Sequence, residues 1–205
     1  MELSAIREFW RELKTTVHPA DAVVIDRYPD AFNLDYPSPA FTGDVLNARI
    51  IILMGNGGYE QEITDREYAD PETADWQRRR LREPGPAIVN RTSPYYLSGE
   101  RGQRLRDGTA CVVNAVAYRS EKITRDVRRA ALELPSARFH REWLRRAVVP
   151  LAANHRRAVI AHRWGLWELK KEDFSDEGFF YVPPRPRSLP DYVWPIVDQW
   201  LDSAK

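Results

Sequence analysis

The chain has 205 residues, of which 43% are hydrophobic and 30% charged, a balance typical of a globular domain and not of a fibrous or disordered protein. Its one cysteine, Cys111, excludes an internal disulfide and any cluster held by several thiolates. No apolar run reaches the roughly 18 residues that a membrane helix needs, and the first residues lack the order of a signal peptide. We therefore expect one soluble, cytoplasmic domain over residues 1–205.

The net charge of +1 conceals an uneven distribution along the chain. Residues 76–163 hold 20 Lys and Arg against 7 Asp and Glu, whereas residues 1–75 hold 6 against 15. Of the 20 basic residues in the middle segment, all but Lys122 are arginine. Arginine binds phosphate oxygens through paired hydrogen bonds, so this segment is consistent with a face that binds DNA or another nucleic acid. It is equally consistent with solvated helices that pair with the acidic segments.

The first 47 residues predict a helix followed by an irregular approach segment. Residues 4–14 have a suitable N-cap in Ser4 and apolar residues at helical spacing, namely Ile6, Phe9, Trp10 and Leu13. Residues 15–47 contain repeated turn patterns such as Tyr36-Pro37-Ser38-Pro39 and predict little regular structure.

Four apolar runs further along the chain predict strands near residues 49–54, 111–117, 157–161 and 179–182. These runs do not alternate with polar residues, a pattern that indicates strands buried on both faces of a parallel sheet. Helical patterns separate or follow them, at residues 67–81, 124–134, 136–154, 166–173 and 192–203. The alternation predicts an α/β fold with three layers, α/β/α, and a central, mostly parallel sheet of about four strands.

Each of the first three predicted strands carries a polar residue at or near its carboxyl end, where the ligands of such sheets bind. Asn56 follows the first run, Asn114 interrupts the second, and His162 closes the third. The amide of Asn114 offers the adjacent donor and acceptor that a pyrimidine edge needs, and His162 can donate to developing negative charge. Structural roles are the alternative: a left-handed turn for Asn56, and bonds to a loop or to backbone for Asn114 and His162.

A glycine-rich loop surrounds Asn56, with the sequence Gly55-Asn56-Gly57-Gly58-Tyr59. Glycine lets a ligand approach the backbone closely, although the lysine and the spacing of the known phosphate-binding loops are missing. Tyr59 and Tyr95 lie near predicted loops and could stack on a base, a contact worth about 1–3 kcal/mol. His140 and His155 lie among arginines and are expected at the surface, and Cys111 is expected to be an inert core residue.

Three motifs, in this order, resemble those of the uracil-DNA glycosylase superfamily in its divergent branches, over roughly residues 36–182. They are Met54-Gly55-Asn56-Gly57-Gly58-Tyr59, then Val112-Val113-Asn114-Ala115-Val116, then His162-Arg163-Trp164. The resemblance implies a glycosylase-like fold and hydrolysis of the N-glycosidic bond of a damaged base flipped out of DNA. It implies that Asn56 positions the water, Asn114 reads the base, and His162 stabilises the leaving base, with Tyr59 or Tyr95 stacking on it.

The chain also departs from the family pattern. Gly57 replaces the usual proline, and no Pro-Ser follows His162. If the first motif is aligned one residue further along the chain, Gly57 instead of Asn56 takes the catalytic position. Asparagine is a poor general base, so such an enzyme would rely on positioning and would be slow. We expect no metal, no cofactor and a monomer. Two alternatives stay open: a catalytically silent relative that binds nucleic acid or a nucleotide-like ligand, and a hydrolase of free nucleosides or nucleotides.

Overall fold

The structure, a computed structural model, describes residues 1–170, 178–182 and 189–203. Over these residues it is an α/β protein with a five-stranded central sheet in the order β1-β3-β2-β4-β5. The strands are β1 Phe41–Gly43, β2 Ile50–Asn56, β3 Ala110–Val116, β4 Ala158–Ala161 and β5 Phe179–Tyr181. Strands β2, β3, β4 and β5 pair in parallel with one another, which confirms an α/β fold with a mostly parallel central sheet.

The fifth strand corrects the expectation of about four. Strand β1 pairs antiparallel with β3 at the sheet edge, with Phe41 opposite Val113 and Gly43 opposite Cys111. It lies in the segment 15–47 that was expected to be irregular, which also forms a 3-10 turn at Pro19–Asp21 and a short helix. Three residues are too few to show an apolar pattern, so β1 depends on its hydrogen bonds to a strand that is distant in the sequence.

The helices within the described residues account for most of the predicted helical patterns. Their bounds are α1 Ala5–Trp10, α2 Ala22–Arg27, α3 Gln61–Glu67, α4 Thr73–Arg82, α5 Gly99–Arg106, α6 Arg125–Glu133, α7 Pro135–Trp143, α8 Val149–Ala153 and α9 Val193–Asp202. A π-helical turn, Leu144–Val148, joins α7 to α8. The side chain of Thr124 caps α6 by accepting from the backbone N–H of Val127, as its position predicted.

Two of the helical predictions need correction, and one further helix was missed. The pattern at 67–81 was expected to form one helix interrupted by Pro71, but it divides into the end of α3 and then α4, which begins at Thr73. Helix α5 was not predicted, because its sequence is mostly charged and buries few apolar side chains, chiefly Leu105. The pattern at 166–173 was expected to be helical. In its described part, residues 166–170, the structure has no α-helix, and a 3-10 turn, Trp164–Leu166, ends at its first residue.

The sheet buries a different set of side chains on each face, because successive residues of a strand point to opposite sides. One face, here called the α7 face, includes Ile51, Cys111 and Val159 and packs against α1, α6 and α7. The other, the α5 face, includes Ile52, Val112 and Ile160 and packs against α5 and α9. Helices therefore cover both faces, in the three layers that the sequence predicted. Burial raises the pKa of the Cys111 thiol to about 12, consistent with an inert core residue.

The strand order reverses direction at β2. The chain leaves β2 toward β3 on one side and later places β4 on the other side of β2. In open parallel sheets, such a reversal of direction separates the loops above neighbouring strands and forms the usual ligand site. The ends of β2 and β4 flank this point.

Candidate functional site

The strand register brings Asn114 and His162 to the same face of the sheet, on either side of Met54. Met54 is paired with Asn114, and Leu53 with Ala161, so His162 lies beside Met54 on the following step. Met54 packs in the α5 face, and alternation places Asn114 and His162 on that face too. Neighbouring strands are about 4.8 Å apart, so the backbones of Asn114 and His162 are separated by roughly 10 Å.

Asn56 lies one step nearer the carboxyl edge of the sheet than Asn114 and His162. It is the last residue of β2, opposite Val116, and lies two residues beyond Met54. Its Nδ2 donates to the Ser120 hydroxyl at 2.6 Å, and that hydroxyl donates to the Lys122 carbonyl at 3.1 Å. The amide nitrogen is thereby fixed, which orients the half-buried Asn56 Oδ1. Asn56 lies in extended strand, so the alternative of a left-handed turn at this residue is wrong.

Asn114 is fully buried and tied to its surroundings at every polar atom but one. Its Nδ2 donates to the Pro39 carbonyl at 2.5 Å and to the Tyr96 hydroxyl at 3.2 Å. Its backbone N–H donates to the Ala40 carbonyl at 2.9 Å. Its Oδ1 has no hydrogen-bond partner among the described residues. Leaving such an acceptor unpaired costs about 1–3 kcal/mol, so Oδ1 is suited to accept an N–H from a ligand.

The glycine-rich loop packs too closely for a side chain at one of its positions. A Cβ on the buried Gly57 would clash with the Pro39 ring and lie 3.3 Å from the Arg119 side chain. Any side chain at position 57 would therefore displace the loop. The polar side chain beside this position is that of Asn56. The left-handed conformation belongs to the exposed Gly58, with φ of +63°. A Cβ on Gly55 would meet the side chain of Ile123 at an ordinary 3.4 Å.

The other predicted residues occupy different environments. His162 is fully buried, and its backbone N–H donates to the Leu53 carbonyl at 3.3 Å. Tyr59 is half-buried, with its ring 6.4 Å from that of Tyr36. Tyr95 is exposed, and the Arg101 guanidinium lies 4.7 Å from its ring centre. The adjacent Tyr96, which also lies near a predicted loop but was not chosen as a site residue, is the tyrosine that contacts Asn114.

A buried ion pair behind the loop was also missed. Arg119 Nη2 lies 2.9 Å from Glu67 Oε1, and the two side chains are 3% and 2% exposed. Gln77 donates to the same Glu67 oxygen at 2.7 Å, while Glu67 Oε2 has no partner within the described residues. The two residues are 52 positions apart, so no local pattern could have connected them. The pair joins α3 to the chain after β3 and fixes the Arg119 stem against Gly57.

A narrow cleft lies beside Asn114 on the side of β1. Its lining includes Glu67, Trp76, Thr92 and Tyr96, and its internal volume is about 30 Å³. That is room for about one water molecule. Both Asn114 and His162 are excluded from solvent, so the site is closed in this state. Within the described ranges, no group of three or more His, Cys, Asp or Glu residues could hold a metal ion.

The arginines of the middle segment are partly neutralised by neighbouring carboxylates. Nineteen arginines occur from Arg78 to Arg163. At least seven of them form ion pairs with carboxylates: Arg78, Arg91, Arg104, Arg119, Arg129, Arg141 and Arg146. For these residues the alternative of charge pairing is confirmed. A basic face must therefore come from the remaining arginines.

Comparison of the chain with models of protein families, with curated proteins and with solved structures gives no match. In the part of the chain that the structure describes, no helix has the length and apolar character needed to cross a membrane. The interpretation of the site therefore depends on its own residues and their arrangement.

Proposed function

We propose that the protein is a uracil-DNA glycosylase-like enzyme that binds a base flipped out of DNA and hydrolyses its N-glycosidic bond. The observation that supports this most is the position of Asn56, Asn114 and His162 at the carboxyl ends of three adjacent parallel strands. These are the residues of the three motifs that resemble the superfamily. The parallel α/β sheet and the reversal of strand order at β2 are consistent with the same proposal.

Each of the three side chains has a role that its contacts allow. Asn114 Oδ1, the unpartnered acceptor, would bind a ring N–H of the base. His162 would donate to the base oxygen that gains negative charge as the bond to the sugar breaks. Asn56 Oδ1 would accept a hydrogen bond from the attacking water, since Ser120 holds the amide nitrogen. The water oxygen then bonds to the sugar carbon, the base leaves with the bonding electrons, and the water's proton passes to solvent or to the base.

The closed state requires a movement before a base can enter. The hydroxyl of Tyr96 occupies one donor of Asn114 through a bond of 3.2 Å, the longer of the two that its Nδ2 makes. A base that replaces this hydroxyl would gain both the freed donor and the unpartnered Oδ1. The flipping of the base out of the stack adds a cost of a few kcal/mol. Slow excision is therefore expected.

The second candidate is a silent relative that binds a flipped base or a nucleotide-like ligand without hydrolysing it. The packing of Gly57 favours this silent relative. A catalytic carboxylate at position 57 would displace Pro39, so the loop has no room for a general base there. An amide at position 56 cannot take the proton of the attacking water. The third candidate, a hydrolase of free nucleosides, calls for a deep pocket, and the cleft beside Asn114 holds only about one water.

Single-turnover excision at enzyme excess tests the proposal. Oligonucleotides that contain uracil, hypoxanthine or a mismatch are incubated with the protein, and abasic sites are revealed by strand cleavage in alkali. We expect a product from at least one substrate and a slower chemical step in Asn56→Ala. The control Asn90→Ala, at an exposed residue, should excise at the wild-type rate. Absence of product from every substrate would favour the silent relative. Excision that is unchanged in Asn56→Ala would remove Asn56 from the mechanism.

A further inference from the structure

A groove on the α7 side of the molecule collects four arginines. It has a volume of about 510 Å³, and its charged residues are Arg138, Arg141, Arg145, Arg146, Glu142 and Glu168. Two of these arginines are paired with carboxylates, Arg141 with Glu168 at 2.7 Å and Arg146 with Glu142 at 3.2 Å. The groove therefore carries two more positive charges than negative ones.

Two arginines supply this excess. Arg138 donates to the Leu132 carbonyl at 3.0 Å, and within the described residues neither Arg138 nor Arg145 forms an ion pair. Both side chains belong to exposed residues. They can therefore turn toward an oxyanion without breaking a bond to a carboxylate.

The guanidinium groups are close enough to repel one another. Burial lowers the pKa of Arg141, and the charges of Arg145 and Arg138 lower it further, while Glu168 acts in the opposite direction. A phosphate in the groove would reverse this repulsion and accept paired hydrogen bonds from the guanidinium forks. The groove is thus suited to an oxyanion with several oxygen acceptors.

The groove reaches the turn that follows β4, at the carboxyl edge of the sheet. Arg141 Nη1 donates to the Ala131 carbonyl at 3.0 Å and lies 3.5 Å from the carbonyl of Leu166, in the turn that follows His162 and β4. From there, Arg138 and Arg145 are seven residues apart on a helix, which corresponds to about 10 Å along its axis. Each side chain can therefore bind a separate phosphate of the same strand.

We infer that this groove binds the phosphate backbone of the strand whose base enters the candidate site. The inference rests on the proposed function for the identity of that strand, but binding in the groove does not require excision. A lipid surface is less suited, because among the described residues Leu132 is the one large apolar side chain that lines the groove, and interfacial membrane binding needs a broad apolar face.

Fluorescence anisotropy with an undamaged 20-mer, single-stranded and duplex, tests the inference as salt is raised from 25 to 200 mM. The variant Arg138→Gln/Arg145→Gln should weaken binding roughly tenfold at low salt and reduce the salt slope by about two, because two phosphates are no longer neutralised by arginine. The control Arg125→Gln/Arg128→Gln removes the same charge from exposed positions on α6 and should change affinity less than about threefold. Arg145→Gln alone, which breaks no hydrogen bond that the structure records, should show about half the decrease in slope.

The possible outcomes separate the two proposals. Equal decreases in affinity in both double variants, or no binding by the wild type at 25 mM salt, would overturn the inference. Binding to vesicles with anionic lipids is measured for the same proteins. If Arg138→Gln/Arg145→Gln loses vesicle binding but still binds the oligonucleotide as the wild type does, the inference is also overturned. If the wild type binds through the groove but excises no base, the inference stands and the proposed hydrolysis fails. If the wild type excises a base and Arg138→Gln/Arg145→Gln does so with unchanged KM, the inference about the groove fails and the proposed hydrolysis stands.

Discussion

The imidazole Nδ1 of His140 lies 2.7 Å from the backbone carbonyl oxygen of Asn114, in the middle of the sheet. Trp10 Nε1 donates to the other ring nitrogen, Nε2, at 2.8 Å. An indole N–H can only donate, so Nε2 is the acceptor and Nδ1 carries the proton that Asn114 accepts. This chain of bonds connects α1 to the strand of the candidate site and needs a neutral imidazole.

The stability of the protein should therefore fall as the pH is lowered below neutrality. Burial lowers the pKa of His140 to about 4, from an ordinary value of 6.5. The unfolded chain binds this proton more readily, so the contribution of His140 is complete above pH 6.5 and is lost as the pH falls toward 4. Its size is about 3 kcal/mol. Urea unfolding should show about 2 kcal/mol of this loss between pH 7.5 and pH 5, because pH 5 still lies above the pKa of the folded state.

Two variants separate His140 from the other histidines. His140→Gln should lower the stability at pH 7.5 but flatten its dependence on pH. His155→Gln, at an exposed histidine that stacks on Trp200, should leave that dependence as in the wild type. An unchanged pH dependence in His140→Gln would show that a different group accounts for the loss at low pH.

Removing one charge of the buried pair behind the loop should destabilise the fold strongly. Glu67→Gln keeps the shape of the side chain but leaves Arg119 buried without its counter-charge, at a cost of about 3–5 kcal/mol. Glu62→Gln, on the same helix in an exposed pair with Arg66, should cost less than about 1 kcal/mol. Thermal unfolding compares the two. Similar losses would mean that the Arg119 charge is satisfied by other groups, such as Tyr68.

The close packing of Gly57 predicts a steric effect. Gly57→Ala should displace the loop from Pro39, with a loss of about 1–3 kcal/mol, the range of overpacked sites. Gly165→Ala is the matched control, since a Cβ at Gly165 would have no heavy atom within 4 Å, and it should be nearly neutral. Urea unfolding measures both variants. If Gly57→Ala is as stable as Gly165→Ala, the contact with Pro39 is not maintained in solution.

Replacing the amide at the end of β2 by a carboxylate should accelerate excision. In Asn56→Asp the side chain can accept the proton of the attacking water, and positioned general bases contribute roughly 10²–10⁴-fold. The rate should then rise with pH through the pKa of the new carboxyl group, a dependence that the wild type lacks. Asn90→Asp, which adds the same charge at an exposed position, should change neither property. A slower Asn56→Asp would indicate that the amide donor to Ser120 matters more than the acceptor.

The parts of the fold that the sequence predicted are those with strong local patterns. The β-branched runs of β2, β3 and β4 and the amphipathic patterns of α6 and α7 report burial on known faces, and Asn114 was noticeable as a polar residue within such a run. The parallel sheet and its polar carboxyl edge follow from these patterns. They needed no knowledge of distant contacts.

The parts that were missed depend on residues far apart in the chain. His140 was expected at the surface because its neighbours are arginines. It is fully buried instead, and accepts a hydrogen bond from Trp10, 130 residues away. Glu67 looked like one charge among many in a helical segment, and only its pairing with Arg119 makes it part of the site. Tyr95 was chosen over the adjacent Tyr96, since a tyrosine pair in a loop gives no indication of which ring turns inward.

The central claim is that Asn56 and Asn114 belong to one base-binding site, and the side-chain amide resonances of the protein test it most directly. Each amide of the 15N-labelled protein is assigned from the spectrum of its own Asn→Ala variant, and a uracil-containing oligonucleotide is then added to saturation. We predict that the Asn56 and Asn114 amides shift while those of the exposed Asn90 and Asn154 stay in place, whether or not the bond is hydrolysed. An unmoved Asn114 amide at saturation would contradict the account.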